Sequence, residues 1–203
     1  TEVGRLMAES MLENIPDGGD IFLIQGPLTD NNVSLIREGI DETLAGSNLN
    51  VVYEANCPGW IAENAYTYTK EGLKLDRNVT GIICGNDDLA SQAFRALSEE
   101  RLAGKVCVTG QDGDLAACQR IVEETQEMTA FKSVEQEASL AAKCAVLLGL
   151  GEEIEEVQDT AYDGTYNVPY LELQPIAVTK ENMDEVIIKG GFHAKEDVYL
   201  NVN

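Results

Sequence analysis

The chain has 203 residues, 44% hydrophobic and 25% charged, enough for one large domain or two small ones whose core needs neither disulfides nor a metal. Fourteen Lys and Arg face 36 Asp and Glu, a net charge of −22, which repels phosphate backbones and anionic headgroups and argues against nucleic acid or a membrane surface as partner. Five cysteines without a C-x-x-C pair, and His193 as the only histidine, argue against a structural zinc site, and no run approaches the roughly 18 apolar residues of a membrane span.

Thr1 opens directly into an amphipathic helical pattern through Val3, Leu6, Met7 and Met11, with no signal peptide in view. The sequence is therefore expected to begin partway through a longer protein. Short apolar runs then alternate with segments of helical period. The runs are Ile21–Gln25, Val51–Glu54, Gly81–Cys84, Val106–Thr109 and Met128–Phe131. The helical segments are Asn32–Ala45, Ile61–Leu75, Leu89–Leu102, Leu115–Glu124 and Val134–Leu150. Apolar strands alternating with helices predict βαβ units and a doubly wound, mostly parallel open sheet with helices on both faces. Cys84 and Cys107 sit inside apolar runs and read as buried small hydrophobes.

After Gly151 the rhythm changes. Asp163-Gly164 marks a turn, and Val168–Leu173 and Pro175–Val178 read as extended. Thr179 is expected to cap a short helix through Asn182–Val186, and another short helix is expected around Ala194–Tyr199. The expected division is a lobe over residues 1–165 and a tail over 166–203 that packs on a different domain.

In an open parallel sheet, ligands bind outside the carboxyl ends of the strands. The residues just after the five predicted strands are Thr29-Asp30-Asn31-Asn32, Pro58-Gly59-Trp60, Asn86-Asp87-Asp88, Gln111-Asp112-Gly113-Asp114 and Lys132. One edge thus offers carboxylates, amides, an indole and an ammonium. That set suits a neutral polyol, whose hydroxyls both donate and accept and whose C–H face is covered by a flat aromatic. Each residue also has a plainer reading. Asp30, Asn86 and Asp87 fit helix caps, Asp112-Gly113 fits a turn, Trp60 fits packing and Lys132 fits a solvated lysine. Only their coincidence on one edge favours binding.

Other motifs are weak. Gly149-Leu150-Gly151 follows a helix and makes a poor dinucleotide fingerprint. Asp112-Gly113-Asp114 begins like a calcium loop, but Ala116 stands where an oxygen ligand is needed. A phosphate-binding loop and a nucleophile elbow are both missing, and one histidine gives a nucleophile little to work with. No metal, cofactor or catalytic residue is expected, so the chain reads as a binder and not an enzyme.

Gly26-Pro27-Leu28-Thr29-Asp30-Asn31-Asn32, Pro58-Gly59-Trp60, Cys84-Gly85-Asn86-Asp87, Val108-Thr109-Gly110-Gln111-Asp112, Met128-Thr129-Ala130-Phe131-Lys132 and the tail Gly191–Tyr199 together resemble the D-xylose-binding proteins of ABC sugar importers. The resemblance covers nearly the whole chain in order. It implies one lobe of a periplasmic-binding-protein fold, the C-terminal one, in a receptor that closes on a monosaccharide such as D-xylose. It implies ligand contacts from Asp30, Asn32, Trp60, Asn86, Asp112 and Lys132. It also implies an ABC permease as the membrane partner and an extracytoplasmic, periplasmic or lipoprotein location. Cysteine usage by itself points instead to a reducing compartment. An alternative within the same resemblance is a sugar-sensing lobe that signals to a membrane histidine kinase.

Overall fold

A computed structural model describes residues 1–157 and 159–202. They form two compact units, one of residues 1–131 together with the chain from Ile176 onward, the other of residues 132–175.

The first unit is built on a six-stranded sheet. Its strands are β1 (Gly19–Gln25), β2 (Leu49–Asn56), β3 (Gly81–Cys84), β4 (Cys107–Gln111), β5 (Met128–Phe131) and β8 (Ile176–Val178), in the order β2-β1-β3-β4-β5-β8. The first five are parallel, and β8 runs antiparallel beside β5. The central strands are buried on both faces, so their sequences read as unbroken apolar runs without alternation. Alternate residues still feed different cores. Ile21 and Leu23 of β1 pack with Met7 and Met11 of α1 (Glu2–Asn14) and Ile36 and Ile40 of α2 (Asn31–Leu44). Phe22 and Ile24 pack on the other face with Leu73 of α3 (Glu63–Leu75) and Leu89 and Leu97 of α4 (Asp87–Glu99).

Helix α5 (Leu115–Val122) and the final segment share a third core, in which Cys118, Ile121 and Phe131 meet Val178, Met183, Ile187 and Val198. The chain from Ile176 onward, expected to reach a different domain, here completes its own sheet and covers α5. The short helix expected to be capped by Thr179 runs instead over Asp184–Ile188 with π-type bonding. Thr179 is a donor there. Its backbone N–H goes to Asn182 Oδ1 (2.9 Å) and its hydroxyl to Glu181 Oε2 (2.6 Å), so the turn is closed by Asn182 and Thr179 caps nothing. Helix α7 (Lys195–Val198) falls within the segment expected to be helical.

The second unit holds α6 (Val134–Leu150), capped by the Ser133 hydroxyl accepting from Gln136 N–H, and a hairpin of β6 (Asp159–Tyr162) with β7 (Asn167–Tyr170). The boundary expected at 165 lies inside this hairpin, where residues on either side of it are hydrogen-bonded partners. None of the 17 residues of α6 is buried, although it is apolar around much of its circumference.

Candidate functional site

The order β2-β1-β3 places a switch between β1 and β3, where consecutive crossovers leave in opposite directions and open a crevice above the strand ends. Gly26 and Gly85 follow the two strands at this point and are buried. The indole of Trp60 lies across them. A methyl on Gly26 would come within 2.3 Å of the ring, so only glycine leaves room for it there, and one on Gly85 would press on it at 3.2 Å. The turn that delivers the ring, Pro58–Trp60, puts Gly59 and Trp60 both in the left-handed region, at φ 59° and 58°. Such a conformation is strained for a tryptophan, at about 1–3 kcal/mol. What offsets it is one hydrogen bond and one packed face. Trp60 Nε1–H donates to Asp30 Oδ2 (3.0 Å), and the ring rests on the core of Phe22 and Cys84.

Asp30 therefore does two things. Its Oδ1 accepts from Asn32 N–H (2.9 Å) and caps α2, and its Oδ2 holds Trp60. The capping and binding readings of Asp30 do not compete, because a carboxylate has about four lone-pair sites and these bonds use two. Asn32 is exposed on the first turn of α2. Asn86 caps α4 through Oδ1 on Leu89 N–H (2.9 Å), leaving its amide N–H groups for other work. Asp112 is half-buried at φ 102°, and its N–H donates to Ala130 across the β4–β5 ladder end (3.0 Å). The fold thus brings Asp30, Asn32, Trp60, Asn86 and Asp112 to the carboxyl ends of four neighbouring strands. Lys132 follows β5 directly, is exposed and belongs to the second unit.

Asp87 fits a cap in sequence, but the cap of α4 is Asn86. Asp87 is fully buried, and both its oxygens point away from its own helix. Oδ2 accepts from Thr129 Oγ1 (2.7 Å), Gly113 N–H (3.0 Å) and Asp114 N–H (3.1 Å), and Oδ1 accepts from Gln126 Nε2 (3.0 Å). Gln126 passes the charge on, since its Oε1 accepts from Arg120 Nε (3.0 Å). Gly110 makes the space, because a methyl there would lie 2.2 Å from Asp87 Oδ1. Burial pushes the Asp87 carboxyl up to about 7 in spite of these donors, and burial likewise pulls the Arg120 guanidinium down. Asp114, half-buried, is also raised, first by burial and then by repulsion from Asp88 and Asp112. Nothing in Asn86-Asp87-Asp88 says which acid goes inward. Only Thr129, Gln126 and Gly113, remote in sequence, decide it.

Among the described residues, no cluster of His, Cys, Asp or Glu has the arrangement of a metal site, and no helix is long and apolar enough to cross a membrane. The donors at the edge are carboxylate, carboxamide and indole, which can engage hydroxyls and cover a C–H face.

A family profile described as periplasmic binding protein domain matches residues 1–153. The D-xylose-binding periplasmic protein of Haemophilus influenzae is 40% identical over 98% of this chain, and that of Escherichia coli is 36% identical over 97%. This chain spans 60% and 61% of the lengths of those two relatives. Among solved structures, a solute-binding protein from Clostridium phytofermentans with bound β-D-glucose superimposes with a TM-score of 0.83 at 23% identity, covering 97% of this chain and 67% of the other. One from Actinobacillus succinogenes with bound D-allose gives 0.76 at 25% identity, covering 89% and 60%.

Proposed function

This chain belongs to the periplasmic binding protein family, a family of solute-binding proteins and not of enzymes, and from that premise we propose that it is the greater part of a receptor that captures a monosaccharide, D-xylose first, for an ABC importer. The observation that carries the reading is the Trp60 indole laid over Gly26 and Gly85 at the switch point and bonded to Asp30, with Asn32, Asn86 and Asp112 at the same and neighbouring strand ends. The indole would cover the C–H face of a pyranose. The carboxylates of Asp30 and Asp112 would each accept from neighbouring hydroxyls, and the free amide hydrogens of Asn86 would donate to hydroxyl oxygens. A location outside the cytoplasm and a membrane permease as reader of the sugar-bound form belong to this same reading.

The second unit supports it from another side. Val134, Val146, Leu148 and Leu150 of α6 are exposed and no residue of that helix is buried, and Tyr162, Tyr166 and Val168 of the hairpin region are exposed too, a surface that calls for a cover. The named relatives have length beyond this chain to supply that cover. We therefore assign to residues 132–175 a contact with a further lobe.

The test is calorimetric titration of the protein at the full length of its relatives against D-xylose and a panel of hexoses and pentoses. Binding with D-xylose preferred is the expected result. Asp112→Ala should then lower affinity by about a hundredfold or more, since two charge-assisted hydrogen bonds at roughly 1.5–3 kcal/mol each are lost. Indifference to every sugar, or wild-type affinity in Asp112→Ala, would overturn the assignment.

A further inference from the structure

Asp112 stands at φ 102°, where a side chain is strained, and a ligand residue held in such a conformation needs something to hold it there. The two residues after it are fastened to other parts of the fold. Gly113 N–H reaches Asp87 Oδ2 and Thr129 Oγ1 at 3.0 Å each, and Asp114 N–H reaches the same Asp87 oxygen at 3.1 Å. Gly113 C=O faces His193 Nε2 at 2.8 Å. The Asp87 carboxylate is therefore bonded to two backbone amides of the β4–α5 loop while its own backbone continues directly from Asn86 in the β3–α4 loop. A second tie runs beside it, from Gln111 Nε2 to Gly85 O (2.6 Å).

We propose that Asp87, seated on Thr129, is a positioning residue that locks the Asp112 loop to the Asn86 loop, so that the two sugar-binding side chains are presented at a set spacing before ligand arrives. This rests on the sugar-binding reading above. Asp87 touches no ligand. It acts through the Gly113 and Asp114 amides, and its buried charge is balanced through Gln126 by Arg120. Preorganisation of this kind raises affinity by removing the ordering cost from the binding step. A neutral Asn at 87 presents one oxygen and one N–H₂ to four donors, so at least one donor is left facing another. Val at 129 keeps the shape of Thr and removes the hydroxyl, whereas Ser keeps the hydroxyl.

The experiment uses the full-length protein and its Asp87→Asn, Thr129→Val and Thr129→Ser variants at pH 8. Amide hydrogen exchange is read at Gly113 and Asp114, with Ile82 and Ile83 of β3 as a measure of the intact sheet, and D-xylose affinity is read by calorimetry. Asp87→Asn and Thr129→Val are expected to speed exchange at 113 and 114 by roughly tenfold or more and to weaken D-xylose by roughly ten- to a hundredfold, with the β3 amides unchanged. Thr129→Ser is expected to stay within about threefold of wild type on both readouts. Wild-type exchange at 113 and 114 in the Asn and Val variants, or unchanged affinity beside a loosened loop, overturns the proposal. A wild-type protein with no affinity for any sugar overturns the functional reading alone, because the exchange comparison decides Asp87's hold on the loop without ligand. If Asp87→Asn does not fold, the Thr129 pair decides the question by the same two measurements.

Discussion

A carboxylate with no exposed surface costs stability when it ionises, and Asp87 carries that cost at the centre of the molecule. Burial raises its carboxyl from 3.8 to about 7, against the lowering influence of Thr129, Gln126 and the Asp114 amide. The folded state therefore keeps a proton that the unfolded chain has already released between these values. Its contribution to stability is full below about pH 4 and is lost as pH rises through about 7. Melting curves from pH 4 to 8 should show wild type losing stability relative to Asp87→Asn, whose amide does not titrate. A constant difference between the two across that range would mean that the buried carboxylate is ionised throughout. Glu127, raised by burial as well, pushes both proteins in the same direction and cancels in the comparison.

Helices α1 and α2 set the geometry of the face beneath the Asp30 loop, and they do so through glycines. A methyl on Gly4 would lie 2.0 Å from Ile36 O, and one on Gly39 would lie 2.1 Å from Thr1 O. Each glycine thus lets the backbone of the other helix approach where any side chain would block it. The neighbouring core, Met7, Met11, Ile36 and Ile40, is packed to that separation. Gly39→Ala should force the pair apart and cost about 1–3 kcal/mol, as a lower urea midpoint at constant slope. The final segment obeys the same logic of partners over pattern. Pro175–Val178 already reads as extended, but Ile176–Val178 join this sheet because β5 has an open edge that β8 closes.

As a whole the molecule has one unit with three shared cores and one whose apolar helix is bare. Cys144 reports on the difference. The other four cysteines are buried in the first unit, while Cys144 lies half-exposed on α6. In a preparation at the relatives' length, a further lobe over α6 should slow maleimide labelling of Cys144 by roughly tenfold or more compared with this chain alone, a rate set by local opening. Equal labelling rates would show that residues 132–175 face water in the longer protein as well. The net charge of −22 keeps such an exposed surface in solution by repulsion between copies.

The sequence alone determined the strand–helix alternation, because the two periods are local. Gly81–Cys84, Met128–Phe131 and Val134–Leu150 form over the residues their patterns indicate. It also determined which side chains stand at the strand ends, since Asp30, Trp60, Asn86 and Asp112 must follow their strands in any parallel sheet. Strand order, the use of β8 and the inward turn of Asp87 were decided only by tertiary structure. They depend on partners that are remote along the chain, such as Thr129 and Gly113 for Asp87 and Phe131 for Ile176. A buried polar group adopts whatever direction satisfies it, and no local pattern records where its donors will be.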